Sequence, residues 1–122
     1  MSIKKCVPVA DICRMRGDTD SIIITVTNAD NSAFDFTGYL SAKMAVSPDP
    51  DPANTDSQLF EVAGVFNIPS GTITFNLSKA QATNDAGVYY HDIKVTDSAS
   101  KDKTIARGKF ELVANITDAG VV

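Results

Sequence analysis

Apolar and polar residues alternate along this chain in short runs, at a period of two rather than 3.6, which is the signature of strands with one face buried and one face wet. In residues 21–27, S-I-I-I-T-V-T, Ile22, Ile24 and Val26 share a face. Leu40, Ala42, Met44 and Val46 do the same over 40–46, and Ile73, Phe75 and Leu77 over 71–77. The cleanest case is the run D-A-G-V-Y-Y-H-D-I-K-V, residues 85–95, leading a strand over 88–97. Tyr89, His91, Ile93 and Val95 fall on one side of it, and Tyr90, Asp92, Lys94 and Thr96 on the other. Over 104–113, Ile105, Arg107, Lys109 and Glu111 alternate against Ala106, Gly108, Phe110 and Leu112. Two further strands are predicted over 7–15 and 58–66, the second interrupted by Gly64.

The segments between these runs carry turn chemistry. Arg16-Gly17-Asp18 makes one turn, residues 28–32 a polar hairpin turn and residues 97–103 a soluble tip. Phe34, Phe36 and Tyr39 sit in a loop where Gly38 takes a special backbone angle. Residues 78–83, S-K-A-Q-A-T, read as one helical turn capped by Ser78. Residues 47–54, S-P-D-P-D-P-A-N, cannot join a ladder, because three prolines remove three donors. These elements predict an all-β fold: a single antiparallel, immunoglobulin-like β-sandwich of about seven or eight strands, with Tyr89 placed as a tyrosine corner.

A chain of 122 residues is one domain, residues 1–122, with enough length for a core of its own. The 15 acids outweigh the 11 Lys and Arg for a net charge of −4. The basic residues are scattered, which argues against a nucleic-acid partner. No apolar run reaches the ~20 residues of a membrane span. The N-terminus, with Pro8 and Asp11 breaking a short apolar stretch, does not read as a signal peptide, so a cytoplasm is the expected site of synthesis and assembly. Cys6 and Cys13 are expected as free buried thiols; a bridge bent at Pro8 is the alternative and a metal or catalytic role the remote one. The tail, residues 114–122, is expected to be loose or docked on a partner.

Candidate chemistry is sparse. His91 is the only histidine and lies on the apolar face of its strand, so a packed, hydrogen-bonded ring outweighs a ligand or a catalyst. A nucleophile elbow G-x-S-x-G does not occur. Asp49, Asp51 and Asp56 cluster in the proline loop, but without the glycine and distal glutamate of a calcium loop they read as a solvated spacer. Arg16-Gly17-Asp18 matches an adhesion tripeptide that a tight turn explains as well. Asp92 and Arg107 are expected to face each other across adjacent strands. Lys4-Lys5 is a solvated terminus, and Phe34, Phe36 and Tyr39 form core or an end-cap. No catalytic, cofactor or metal residue is assigned, and the chain is expected not to be an enzyme.

Several segments, in order, resemble a known family: Arg16-Gly17-Asp18-Thr19; Asp35-Phe36-Thr37-Gly38-Tyr39; Gly71-Thr72-Ile73-Thr74-Phe75 running to Leu77-Ser78-Lys79-Ala80-Gln81-Ala82-Thr83; Gly87-Val88-Tyr89-Tyr90-His91-Asp92-Ile93; and Thr104 through Gly108 to Phe110. Together they look like the small immunoglobulin-like structural proteins of tailed bacteriophages and prophages, and are similar to the N-terminal domain of phage baseplate upper proteins. The resemblance covers roughly residues 12–117, and order and spacing carry it. His91 stands where the family pattern has a second tyrosine, and the 78–83 turn is one residue longer. The resemblance implies a non-enzymatic virion protein of the tail, baseplate or neck. It would bind other virion subunits as a homo-oligomer, with strand 7–15, loop 47–56 and tail 114–122 as contact elements. A head-decoration protein stabilising capsid junctions is the first alternative. A host-surface or carbohydrate-binding module is the second, and the absence of tryptophan counts against it.

Overall fold

The computed structural model describes residues 9–50, 58–114 and 116. Seven strands and one helical turn follow in the order β1 (Ile12–Met15), β2 (Ile22–Thr25), β3 (Tyr39–Ser47), β4 (Phe60–Asn67), β5 (Thr72–Phe75), α1 (Lys79–Ala82), β6 (Gly87–Asp97) and β7 (Asp102–Val113). The fold is all-β. Hydrogen bonds join all seven strands in one sheet, in the order β1-β7-β6-β3-β4-β5-β2. The triplets β2-β5-β4 and β3-β6-β7 keep the neighbours expected of an immunoglobulin-like arrangement. They are joined by the antiparallel β3–β4 ladder, Ala42 opposite Gly64 through Val46 opposite Phe60. One pairing departs from the antiparallel expectation: β1 runs parallel to β7, Ile12 opposite Phe110.

The sheet curls on itself. Phe60 on β4 and Phe110 on β7 are three strands apart in the ladder, a separation of about 14 Å in a flat sheet. Their ring centroids lie 6.0 Å apart, edge to face. The inward side chains therefore meet in one core, with Phe36, Met44, Val46, Ile73, Phe75, Ile93, Val95 and Phe110 fully buried. At the end of the core the rings of Phe34, Phe36, Tyr39 and Phe66 pack with centroids 4.8–6.5 Å apart. Phe36 is buried in the core and Phe34 and Tyr39 pack half-buried against it, in keeping with the expected core or end-cap.

Three strand readings need correction. Leu40 was expected inward with Ala42, but it is 69% exposed. A register shift between Tyr39 and Ser41 adds a residue there and turns Leu40 outward. Gly64 does not interrupt its strand: β4 runs through it. A Cβ at Gly64 would come within 2.6 Å of Ile73 and 2.7 Å of Phe75, so the missing side chain lets the core of β5 press against β4. Ile105 was expected outward, but a shift between Ile93 and Lys94 leaves it half-buried against the core.

The helical turn forms as its sequence suggests. Ser78 caps it, its hydroxyl accepting from the Gln81 amide at 3.1 Å, while Gln81 Oε1 accepts from the Ser78 amide at 2.9 Å. This reciprocal capping box satisfies two amides that a one-turn helix would otherwise leave orphaned. Gly38 has φ +90°, as its place in the loop implied.

Candidate functional site

The tyrosine corner is present. Tyr89 sits near the start of β6, and its hydroxyl donates to the carbonyl of Asp85 at 2.5 Å. Partial burial raises its pKa, with the nearby Asp85 carboxylate second. The bond pins the turn that feeds β6 to the sheet.

His91 is 4% exposed and faces inward, opposite Val46 on β3 and Gly108 on β7. Its Nε2 donates to the carbonyl of Ala10. A carbonyl can only accept, so the neutral ring carries its proton on Nε2. Nδ1 is then buried with no partner among the described residues. Burial pushes the ring's pKa below its ordinary 6.5; the bond to Ala10 and the charges of Asp92 and Asp11 oppose this.

Gly108 makes room for this contact. A Cβ there would lie 2.5 Å from the Ala10 oxygen and 2.7 Å from Asp11 Oδ1. The Ala10 amide still donates to the Arg107 carbonyl at 2.8 Å, but the regular ladder is interrupted between Val9 and Ile12, and the Asp11 carboxylate accepts from the Lys109 amide at 2.9 Å. His91 and Asp11 thus replace, with side chains, the ladder contacts that the N-terminal strand gives up. The arrangement suits a structural clamp.

Arg16-Gly17-Asp18 does more than turn. Arg16 is 9% exposed. Its Nη2 donates to the Thr83 carbonyl at 2.7 Å and its Nε to the Asn84 carbonyl at 2.9 Å. The Gly17 amide donates to the Ala82 carbonyl at 2.8 Å, and Lys79 Nζ to the Gly17 carbonyl at 3.1 Å. The tripeptide is stapled to the C-terminal end of α1, where carbonyls want a cation. The sequence pattern did not reveal this role, because the partner lies far along the chain.

Cys13 contradicts the expected buried thiol. It is a free cysteine pointing outward from β1, because Ile12 takes the inward position. Cys6, Lys4, Lys5, Pro8, Asp51 and Asp56 lie outside the described residues, as do most of the proline loop and nearly all of the tail, so the expectations placed on them do too. Asp92 and Arg107 are directly opposite, as expected. The guanidinium donates instead to the Pro50 carbonyl at 3.2 Å, and no ion pair joins the two among the described residues.

That bond closes a shallow pocket of about 240 Å³ on the outer face of β3, β6 and β7, below the ~300–1,000 Å³ typical of small-molecule sites. Lys43, Lys94 and Arg107 line it against Asp49, Glu61 and Asp92, so its charge balances. Among the described residues no group of three or more His, Cys, Asp or Glu is placed to hold a metal ion, and no helix is long and apolar enough to cross a membrane.

The other half of the outer face differs. Ile23, Thr74 and Val65 are directly opposite one another across β2, β5 and β4. Ile23 is 61% exposed and Val65 65%. Ser21, Thr25, Asn76, Thr72, Ala63 and Asn67 alternate with them, and none is charged. The signal was in the sequence: of three consecutive isoleucines in a strand, one must face outward.

No family model matches the chain, and no curated protein does. Among solved structures, a 2,6-sialyltransferase of Photobacterium sp. JT-ISH-224 aligns with 91% of this chain and 19% of its own at 10% identity and a TM-score of 0.34. Domains 3–5 of the extracellular part of Drosophila OTK align with 89% of this chain and 34% of theirs at 14% identity and a TM-score of 0.35. The chain spans about a fifth of the length of the first and about a third of the length of the second.

Proposed function

We propose that this chain is a non-enzymatic structural subunit of a tailed-phage virion, an accessory component of the tail, baseplate or neck that binds other virion subunits. The observation that supports it is the division of labour among the side chains. Groups with chemical capability, His91 and Arg16, are engaged in holding strands and turn together. Aliphatic side chains at Ile23 and Val65 face outward among uncharged neighbours on the same framework. Such a surface recognises partners by complementarity and turns nothing over. The ordered resemblance across residues 12–117 supplies the virion context.

The test is to express the chain with an affinity tag in cells producing the phage of the genome that encodes it, then band the particles on a density gradient. Stoichiometric tag in the particle band, labelled by gold at the tail, supports the reading. Label on the head would move the protein to capsid decoration. Particles that form normally and carry none of the chain would refute it.

A further inference from the structure

We infer that the open edge of β2 is a self-pairing surface, where a second copy of this chain adds its own β2 antiparallel about a two-fold axis at Ile23. β2 ends the hydrogen-bonded order of the sheet. The Val26 amide donates to the Gly71 carbonyl at 2.9 Å, one step beyond the pair Thr25 opposite Thr72. In an antiparallel ladder, bonded pairs alternate with pairs whose amides and carbonyls point away. Ile22 and Ile24 therefore bond to β5, and Ile23 and Thr25 turn their N–H and C=O groups to the open side. Among the described residues nothing meets those groups.

The occupant follows from what the edge lacks and from its symmetry. Residues 21–27 hold no charge, no proline and no glycine, the devices that keep edges from pairing. The opposite edge has both a break at Ala10 and Asp11 and a cation, Arg14, bound to Asp20 at 2.7 Å. A two-fold axis normal to the sheet keeps both outer faces on one side. Ile23 then meets Ile23 of the second copy, Ser21 meets Thr25 and Ile22 meets Ile24. Aliphatic pairs with aliphatic and hydroxyl with hydroxyl, which are favourable cross-strand pairs. The nearest acid, Asp20, falls opposite Val26. For a chain of net charge −4, two copies repel wherever charges face, so an uncharged edge is where they can meet. The rows Ile23–Thr74–Val65 of the two copies would join end to end.

The register can be tested by cross-linking. In a Cys6→Ser, Cys13→Ser background, Ile23→Cys places two thiols on the axis with Cα atoms about 5.5 Å apart, a separation that suits a disulfide. Mild oxidation is expected to give a covalent dimer of Ile23→Cys and to leave Thr25→Cys monomeric. In sedimentation, the unaltered chain is expected as a dimer, and Ile23→Lys, checked as folded by circular dichroism, weakens it at least about tenfold by placing two cations on the axis. Equal cross-linking at 23 and 25, or an unaltered chain that is monomeric at the highest concentration reached, overturns the pairing. The inference rests on the assembly reading by naming one partner, and the two fail separately. A monomer that still bands with particles overturns the edge pairing, and a dimer absent from particles overturns the virion role.

Discussion

Arg16 and Thr83 are 67 residues apart in sequence and joined by a 2.7 Å hydrogen bond from guanidinium to carbonyl. With the second bond, to Asn84, the side chain ties the turn after β1 to the end of α1. Hydrogen bonds to a charged group contribute about 1.5–3 kcal/mol each when their loss strands a partner. Arg16→Ala is expected to lower unfolding free energy by about 2–3 kcal/mol, with Arg16→Lys between the two because an ammonium lacks the planar fork. Urea unfolding measures it; an unchanged midpoint for Arg16→Ala would mean the fork is idle.

Tyr89→Phe keeps the ring and removes the donor to Asp85. The expected loss is about 1 kcal/mol, the usual net worth of one such bond. Thermal unfolding should show a drop of a few degrees with the native circular dichroism spectrum retained. If the turn holds without the hydroxyl, no drop will be seen.

His91 makes stability depend on pH. The folded state holds the ring's pKa below 6.5, so the unfolded chain takes up the proton first. Its contribution is complete above pH 6.5 and is lost as the pH falls from there towards the depressed folded value. His91→Gln retains a donor for Ala10 and cannot titrate. Urea midpoints at pH 7.5 and 5.5 are expected to differ more for the unaltered chain than for His91→Gln. Parallel behaviour of the two would show that burial of the ring carries no proton linkage.

Gly108→Ala puts a methyl group within 2.5 Å of the Ala10 carbonyl oxygen and 2.7 Å of the Asp11 carboxylate. The N-terminal strand must move, at a cost of about 1–3 kcal/mol. Amide exchange is expected to accelerate on β1, with the β3–β4 ladder protected as before. Acceleration spread evenly over the sheet would show that β1 is not a separable unit.

Local pattern made much of this fold legible. Alternation alone placed Ile73, Phe75, Ile93 and Val95 in the core, and the Ser78 turn announced its own cap. What escaped was non-local. Nothing near Leu40 shows that β3 takes in an extra residue, because a bulge is set by the strand opposite. Gly64 read as a break because its reason, the approach of Ile73 and Phe75, comes from another strand. Cys13 turned outward because the register of β1 against Phe110 places Ile12 inward. The candidate surface was half legible: three isoleucines in a row mark one that must face out, but only the sheet order shows that Ile23 lies on an open edge beside Val65.

The parallel pairing of β1 with β7 has a consequence for biogenesis. Asp11 and Lys109 are 98 residues apart and yet joined by a hydrogen bond from amide to carboxylate beside the first ladder pair, Ile12 opposite Phe110. On the ribosome, β1 emerges before the other six strands and has no partner until β7 follows it, so the edge closes only after every strand between them has emerged. Through that interval the strands between can form their hairpins, while the segment with the exposed Cys13 waits unpaired. A nascent chain stalled before Phe110 should therefore label readily at Cys13 and at the amides of β1, and the order in which this sheet is completed is written into its connectivity.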